Sequence, residues 1–359
     1  MNPKLIQISL SLLLMCLCGS YSNEKKNSNG FMIAKSNRLL SEPENGEVGV
    51  EVHEDQPIYK EQPVYEGQSN YEVLVRDKNG NPINKNNLKN NIKIAFIDLD
   101  GTLLNDRHKA SKLNIESLVK AQNKGIKIVF ATGRSMFLAN SIIGKDVKKN
   151  NLSLTPGIYI NGCIAYGPNG ERIIDNYIDE KLLMDIFKFS KEKNLLGCVY
   201  WCGLEKRDTF EMNEYSDENL NFLPIMPNFI DEEALKSTKI YKIMIRLDKK
   251  SVSSVIKMYQ DKFSDRISIG KKFKTYVELF HHNANKFEGV KEICKHFDIS
   301  LNDALAIGDA VNDIEMLQGV GTSIAVQNAS SKIKECAKYV GPSNNDDAIH
   351  HILRTFCDI

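Results

Sequence analysis

Between residues 92 and 326 the chain alternates short apolar runs with longer stretches of mixed polarity. Five runs, 92–97, 126–130, 157–160, 304–307 and 322–326, are dominated by Val, Ile and Phe. Runs of that length and composition predict strands buried on both faces of a sheet. Amphipathic stretches separate some of them. In 112–123 the apolar Leu113, Leu118 and Ala121 fall roughly on one face, and 287–297 has the same character. Strand, helix, strand in that order implies a parallel sheet covered by helices. Ligands of such sheets bind beyond the carboxyl ends of the strands.

The middle of the chain has a different period. Residues 181–193 and 252–263 read as helices, and 198–201, 240–247, 266–269 and 275–280 as strands. Lys242, Met244 and Arg246 alternate with Ile243, Ile245 and Leu247. This alternation predicts an antiparallel sheet with one face covered and one facing solvent. The stretch 205–237 has no clean period. The fold class expected is therefore α/β: a Rossmann-like parallel-sheet core over 91–177 and 281–359, with an α+β module inserted at 178–280.

Ahead of residue 91 the pattern is that of a leader and a linker. The apolar run 5–18 follows Lys4 and precedes Gly19 and Ser20. It is shorter than the ~20 residues a bilayer span needs, so 1–21 reads as a secretory signal peptide. No later run is long enough and apolar enough to cross a membrane. Residues 22–90 read as a disordered linker. Its 42–72 segment holds nine acidic residues against one Lys and the tandem pair 56–61 and 62–67. Like charges and prolines oppose regular structure there, and the segment is a candidate for docking another protein. Asn/Lys clusters such as 84–91, with Arg38, Leu40 and Glu42 spaced as in the RxLxE export pattern, resemble a secreted malaria-parasite protein. The expected location is the secretory pathway with export to the host cell, or the cytoplasm if the leader does not function.

Composition narrows the classes. The chain has 359 residues, room for about two domains. Lys plus Arg number 47 and Asp plus Glu 46, for a net charge of +1. A nucleic-acid partner usually requires a basic excess, and none is present. Eight Cys are too few for a disulfide-built fold. Cys198 and Cys202 lack the further ligands of a zinc site. His281-His282 and His350-His351 read as structural or surface residues, with one His of the first pair a candidate for the substrate edge. Asn151-Leu-Ser153 and Asn328-Ala-Ser330 match glycosylation sequons. Oligomeric state is not encoded in any pattern found.

The chemistry gathers at the strand ends. The first strand runs into Asp98-Leu99-Asp100-Gly101-Thr102, the second into Thr132-Gly133-Arg134, the third into Asn161-Gly162, and the fourth into Asp309-Ala310-Val311-Asn312-Asp313. Lys286 precedes the helix leading to Asp309. Clustered carboxylates are costly without a cation between them, and Asp oxygens suit Mg²⁺. Thr, Lys and free backbone N–H groups suit phosphate oxygens. The set points to phosphoryl transfer.

These motifs, in this order, resemble the haloacid dehalogenase superfamily, and more closely its Cof-type sugar-phosphate phosphatases with a large α/β cap. The likeness spans about 92–343. It implies a core of that type with the inserted module as cap, and a Mg²⁺-dependent phosphomonoester hydrolase acting through an aspartyl-phosphate. It implies that Asp98 is the nucleophile, Asp100 the acid and base, Thr132 a hydrogen-bond donor to the phosphoryl group, and Lys286 its counter-charge. Metal ligands would be Asp98, the carbonyl of Asp100, and Asp309, with Asp313 acting directly or through water. Gly101, Thr102, Gly133, Arg134, Asn161, Gly162 and Asn312 would line the phosphate pocket. The substrate implied is a small phosphate ester, read by cap residues such as Arg207, Glu211 or Arg246. The family's Asn-Lys-Gly is here Asn285-Lys286-Phe287-Glu288-Gly289, so Phe287 either packs on the core or pinches the entrance. A phosphohexomutase-like phosphotransferase and a non-enzymatic binding protein on the same fold are the alternatives.

Overall fold

All five apolar runs become neighbouring strands of one sheet. The computed structural model describes residues 74–83, 88, 91–212, 226–272 and 274–359. The leader, the RxLxE-like pattern and acidic 42–72 lie outside them. The described residues belong to one unit, Gln68–Ile359. The core strands are β1 (Arg76–Asp77), β2 (Ile94–Ile97), β3 (Lys127–Ala131), β4 (Gly157–Tyr159), β5 (Ile164–Tyr166) and β6 (Arg172–Asp175). After the cap strands come β13 (Ala304–Gly308), β14 (Thr322–Ala325) and β15 (Tyr339–Val340). The sheet order is β1-β15-β14-β13-β2-β3-β4-β5-β6. The strands from β15 to β4 pair in parallel, whereas β5, β6 and β1 join antiparallel. The sheet is thus mixed, with parallel strands at its centre.

Period-two packing explains why these strands read as continuous apolar runs. Ala95, Ile97, Ile128, Phe130, Leu305 and Ile307 face one core. Ile94, Phe96, Val129, Ala131, Ala304 and Ala306 face the other. Successive side chains point to opposite faces, and helices cover both. Each large apolar side chain so buried contributes roughly 1.5–3 kcal/mol. Ser111 caps helix Lys112–Asn123 by accepting from the Asn114 N–H at 3.0 Å.

Part of the stretch read as linker is ordered. β1 pairs Arg76 with Val340 and Asp77 with Tyr339, and Val75 is buried. Two residues carry no readable period, yet they cover the open edge of β15.

The inserted cap is a six-stranded sheet in the order β11-β12-β10-β7-β8-β9. Its strands are β7 (Val199–Cys202), β8 (Arg207–Thr209), β9 (Asn228–Phe229), β10 (Lys242–Arg246), β11 (Ile267–Lys272) and β12 (Tyr276–His281). Trp201, Ile243, Ile245, Val277 and Leu279 pack under helices Glu180–Glu192 and Val252–Phe263. The opposite face does not look into solvent as the alternation suggested. Tyr200, Cys202, Met244 and Tyr276 form a buried cluster there. Cys202, Lys242 and Met244 share a cavity with the core residues Ser135, Leu138 and Ile160. Alternation identifies a sheet's second face but not what covers it. All six cysteines of the described residues are free.

Candidate active site

Asp98 follows β2, and its N–H donates to the Ile307 carbonyl at 3.1 Å, so β13 fixes its place. The chain then turns sharply, with the Leu103 N–H on the Asp98 carbonyl at 3.2 Å and the Leu104 N–H on Leu99 at 2.8 Å. Gly101 makes this turn at φ 76°, where an added Cβ would stand 2.5 Å from Asp309 Oδ2. Any side chain there would be strained and would displace that carboxylate. Thr102 Oγ1 donates to Asp309 Oδ1 at 3.4 Å.

Lys286 enters from the opposite side. Asn285 caps helix Lys286–His296, accepting from the Glu288 N–H at 2.9 Å, and this places Lys286 at the first helical position. Its side chain is fully buried. Nζ donates to Asp98 Oδ1 at 2.6 Å and to Asp313 Oδ1 at 2.7 Å. Asp313 Oδ2 accepts from the N–H groups of Asp309 and Ala310, both at 3.0 Å. One lysine therefore ties the first strand's acid to the fourth strand's loop.

Thr132 is buried at the end of β3, and its Oγ1 accepts the Arg134 N–H at 3.2 Å. The Thr132 carbonyl accepts the Asn161 N–H at 3.1 Å. Asn312 Nδ2 donates to Asn161 Oδ1 at 2.9 Å, and the Gly133 backbone packs against that same amide. Gly162, at φ 92°, lies against the Asn285 carbonyl with no room for a Cβ. All the motif residues thus meet at one edge.

Asp100 and Arg134 hold each other. Arg134 Nε donates to Asp100 Oδ2 at 2.7 Å and Nη2 to Oδ1 at 2.6 Å. His108 Nδ1 lies 3.7 Å from Asp100 Oδ1. Among the described residues the carboxylates that converge are Asp98, Asp309 and Asp313, with one oxygen of each within 4.8 Å of the others. The Asp100 side chain stands outside this group. His281 and His282 stack with ring centres 4.6 Å apart and are likewise outside it.

Burial pushes the Asp98 carboxyl up to about 8, with Asp313 and Asp309 adding repulsion against the pull of Lys286. Burial and Asp313 push Asp309 up to about 6. Burial alone would lower Lys286, but Asp313 and Asp98 outweigh it and hold its ammonium charged. Three acids facing one lysine leave negative charge that a hard divalent cation would balance, and their oxygens are the donors such a cation takes. The donor set fits the metal.

A pH dependence follows. Both acids have raised folded pKa values, so the stability they contribute is full below about pH 4 and is lost as pH rises through about 6 and then about 8. A cation binds the deprotonated form and reverses that loss. The rise in Tm given by Mg²⁺ over chelator is expected to be larger at pH 8 than at pH 5.5. Thermal unfolding at both pH values checks it, and an equal or larger rise at pH 5.5 contradicts it.

Two residues outside the motifs brace the turn. Asn328 Nδ2 donates to the Gly101 carbonyl at 2.8 Å, and Asn328 Oδ1 accepts the Asn344 N–H at 3.0 Å. Asn344 Nδ2 donates in turn to the Leu104 carbonyl at 3.0 Å. Sequence reading met Asn328 only as a sequon, because a contact across 227 positions leaves no local signal. Asn328→Ala is expected to cost about 0.5–1.5 kcal/mol in urea unfolding. The displaced glycine of the third motif is also explained. Phe287 packs into the second core cluster with its ring on Gly319, so it does not pinch the entrance.

Residues 95–353 match the family model described as haloacid dehalogenase-like hydrolase. The chain belongs to that family. A solved HAD/COF-like hydrolase from Plasmodium vivax superposes with a TM-score of 0.69 at 31% identity, covering 75% of this chain and 97% of that one. Phosphatase YwpJ of Bacillus subtilis is 25% identical over 291 residues, 73% of this chain and 99% of that protein. The chloroplastic endoribonuclease YBEY of Arabidopsis thaliana is 27% identical over 268 residues, and the match covers 71% of this chain but only 44% of that protein. Fold and carboxylate cluster together define a hydrolase of the phosphoryl-transfer type.

Proposed function

We propose that the protein is a Cof-type, Mg²⁺-dependent phosphatase that hydrolyses small phosphomonoesters, sugar phosphates foremost, through an aspartyl-phosphate. The observation that carries this reading is Lys286, buried between Asp98 and Asp313 with Asp309 alongside. Asp98, Asp309, Asp313 and the Asp100 carbonyl would hold Mg²⁺, which when bound supplies charge to offset the phosphoryl oxygens. An Asp98 oxygen attacks phosphorus and the ester P–O bond breaks, with Asp100 giving a proton to the departing oxygen. Water then attacks the same phosphorus, Asp100 takes its proton, and Asp98 is freed. Acid duty requires the Asp100–Arg134 pair to loosen as the ester arrives. Thr132, Gly133, Asn161, Gly162 and Asn312 surround the phosphoryl position, and Lys286 keeps Asp98 aimed.

The likeness to the Plasmodium vivax hydrolase supports the Cof-type assignment and a parasite origin. The apolar 5–18 run and Arg38, Leu40 and Glu42 support secretion and export. Acidic 42–72 is proposed as a protein-docking segment. The test is phosphate release by the purified protein, with and without Mg²⁺, over sugar, nucleotide and small-acid phosphates. Mg²⁺-dependent release is the expected result. Well-folded protein that releases nothing, or that passes phosphate to a sugar phosphate without releasing it, overturns the hydrolase reading.

A further inference from the structure

The face of the cap sheet that closes toward the core carries an ion pair where an apolar pair would serve folding equally well. Lys242 Nζ lies 3.0 Å from Glu278 Oε1, and Glu278 is 5% exposed. Around them lie Tyr200, Cys202, Met244 and Tyr276. Such a buried pair adds little stability over hydrophobic residues of the same volume, so its presence invites a functional reason. Glu278 lines a cavity of about 520 Å³, together with Phe280 and Ser268 of the cap and Asn161 and Asn312 of the core. The last two are the amides beside the phosphoryl position. Gly270 stands directly opposite Glu278 in the β11–β12 register, and nothing lies within 4 Å of where its Cβ would be. Glu278 thus lies on the wall of a cavity that it shares with residues of the reaction edge.

We infer that Glu278, held by Lys242, is a specificity-determining residue that accepts a hydrogen bond from a hydroxyl of the alcohol half of the substrate; this rests on the phosphatase reading above. An ionised carboxylate only accepts, so it selects donors. Its pairing with Lys242 leaves no net charge to recruit an ammonium, which favours a hydroxyl. Glu315 and Lys271 also line this cavity, so its wall carries both signs and charge alone selects no second ionic group on the ester. The volume suits a pentose or hexose and not a polymer. Of the cap residues suggested from sequence, Arg207 lines the smaller neighbouring cavity, of about 40 Å³.

The test compares glucose 6-phosphate with cyclohexylmethyl phosphate, a ring of equal size without hydroxyls. The native protein is expected to prefer the sugar ester in kcat/KM by about 10- to 100-fold, the range for one hydrogen bond to a charged group. Glu278→Gln should move that ratio toward one. Because it strands Lys242, the double change Lys242→Gln with Glu278→Gln is measured beside it. An unchanged ratio in folded variants overturns the inference. Both esters are also titrated calorimetrically into Asp98→Asn. A difference in Kd that Glu278→Gln erases supports the inference even if no phosphate is released, whereas equal Kd values overturn it whatever becomes of the hydrolase reading.

Discussion

Asp98→Asn is expected to abolish phosphate release, by about 10⁴-fold or more, while the fold survives. Asn has the same shape, and its carbonyl can still accept from Lys286, which donates to Asp98 Oδ1 at 2.6 Å. The change removes one of three crowded acids. Because burial already pushes Asp98 up to about 8, its ionised form is a burden on the chelated protein at alkaline pH. The variant should therefore unfold no earlier than the native chain in chelator at pH 8. Acid quench during turnover should trap a phosphoryl group on the native protein and none on the variant. Asp100→Asn separates the two carboxylates of the first motif. With p-nitrophenyl phosphate, whose leaving group needs no proton, it should still become phosphorylated and then lose the group slowly. An Asp98→Asn protein that retains the native rate would sink the assigned nucleophile. If Asp100→Asn failed to label at all, the two roles would be exchanged or shared.

This pair of variants matters because spacing alone assigns no roles within Asp98-Leu99-Asp100. The sequence did show where the chemistry collects. Polar residues directly after runs buried on both faces have few places to go except a shared sheet edge, so Asp98, Thr132, Asn161 and Asp309 could be grouped before any contact was known. Lys286 was readable for a different reason. Alone it reads as a surface lysine, and only its place in the order of the neighbouring motifs marks it as part of the site. What escaped was whatever depends on pairing across the chain. Arg134 reads as a phosphate ligand until it is seen gripping Asp100, 34 positions away. Asn328 reads as a sequon until it is found on the Gly101 carbonyl. Lys242 reads as a solvent-facing residue because period two separates two faces without saying that the second closes on the core. Strand β1 is too short to have a period. Local physics thus located the site, and long-range contacts decided how it is held.

Lys286→Met should damage stability as well as chemistry, and so differ in kind from Asp98→Asn. The ammonium is wholly buried and is the direct partner of both Asp98 and Asp313. Methionine fills the volume and leaves two carboxylates facing each other without a counter-ion. Stranding buried charge in this way costs about 3–5 kcal/mol. Without the lysine Asp98, already raised by burial, holds its proton more tightly still, so the deficit should be greatest at pH 8 and shrink toward pH 5. Phosphate release should fall by about 10³-fold or more, since Asp98 loses its aim and the phosphoryl group its counter-charge. Lys286→Arg should not rescue, because the broader guanidinium has no room in a slot with zero exposure. Adding Asp313→Asn to Lys286→Met removes one stranded charge. That double variant should regain part of the lost stability and none of the activity. Urea unfolding at pH 5 and 8, with phosphate release measured on the same samples, gives both answers. A Lys286→Met protein with a native urea midpoint at pH 8 would show that the buried pairs carry no such energy, and a native rate would remove Lys286 from the mechanism.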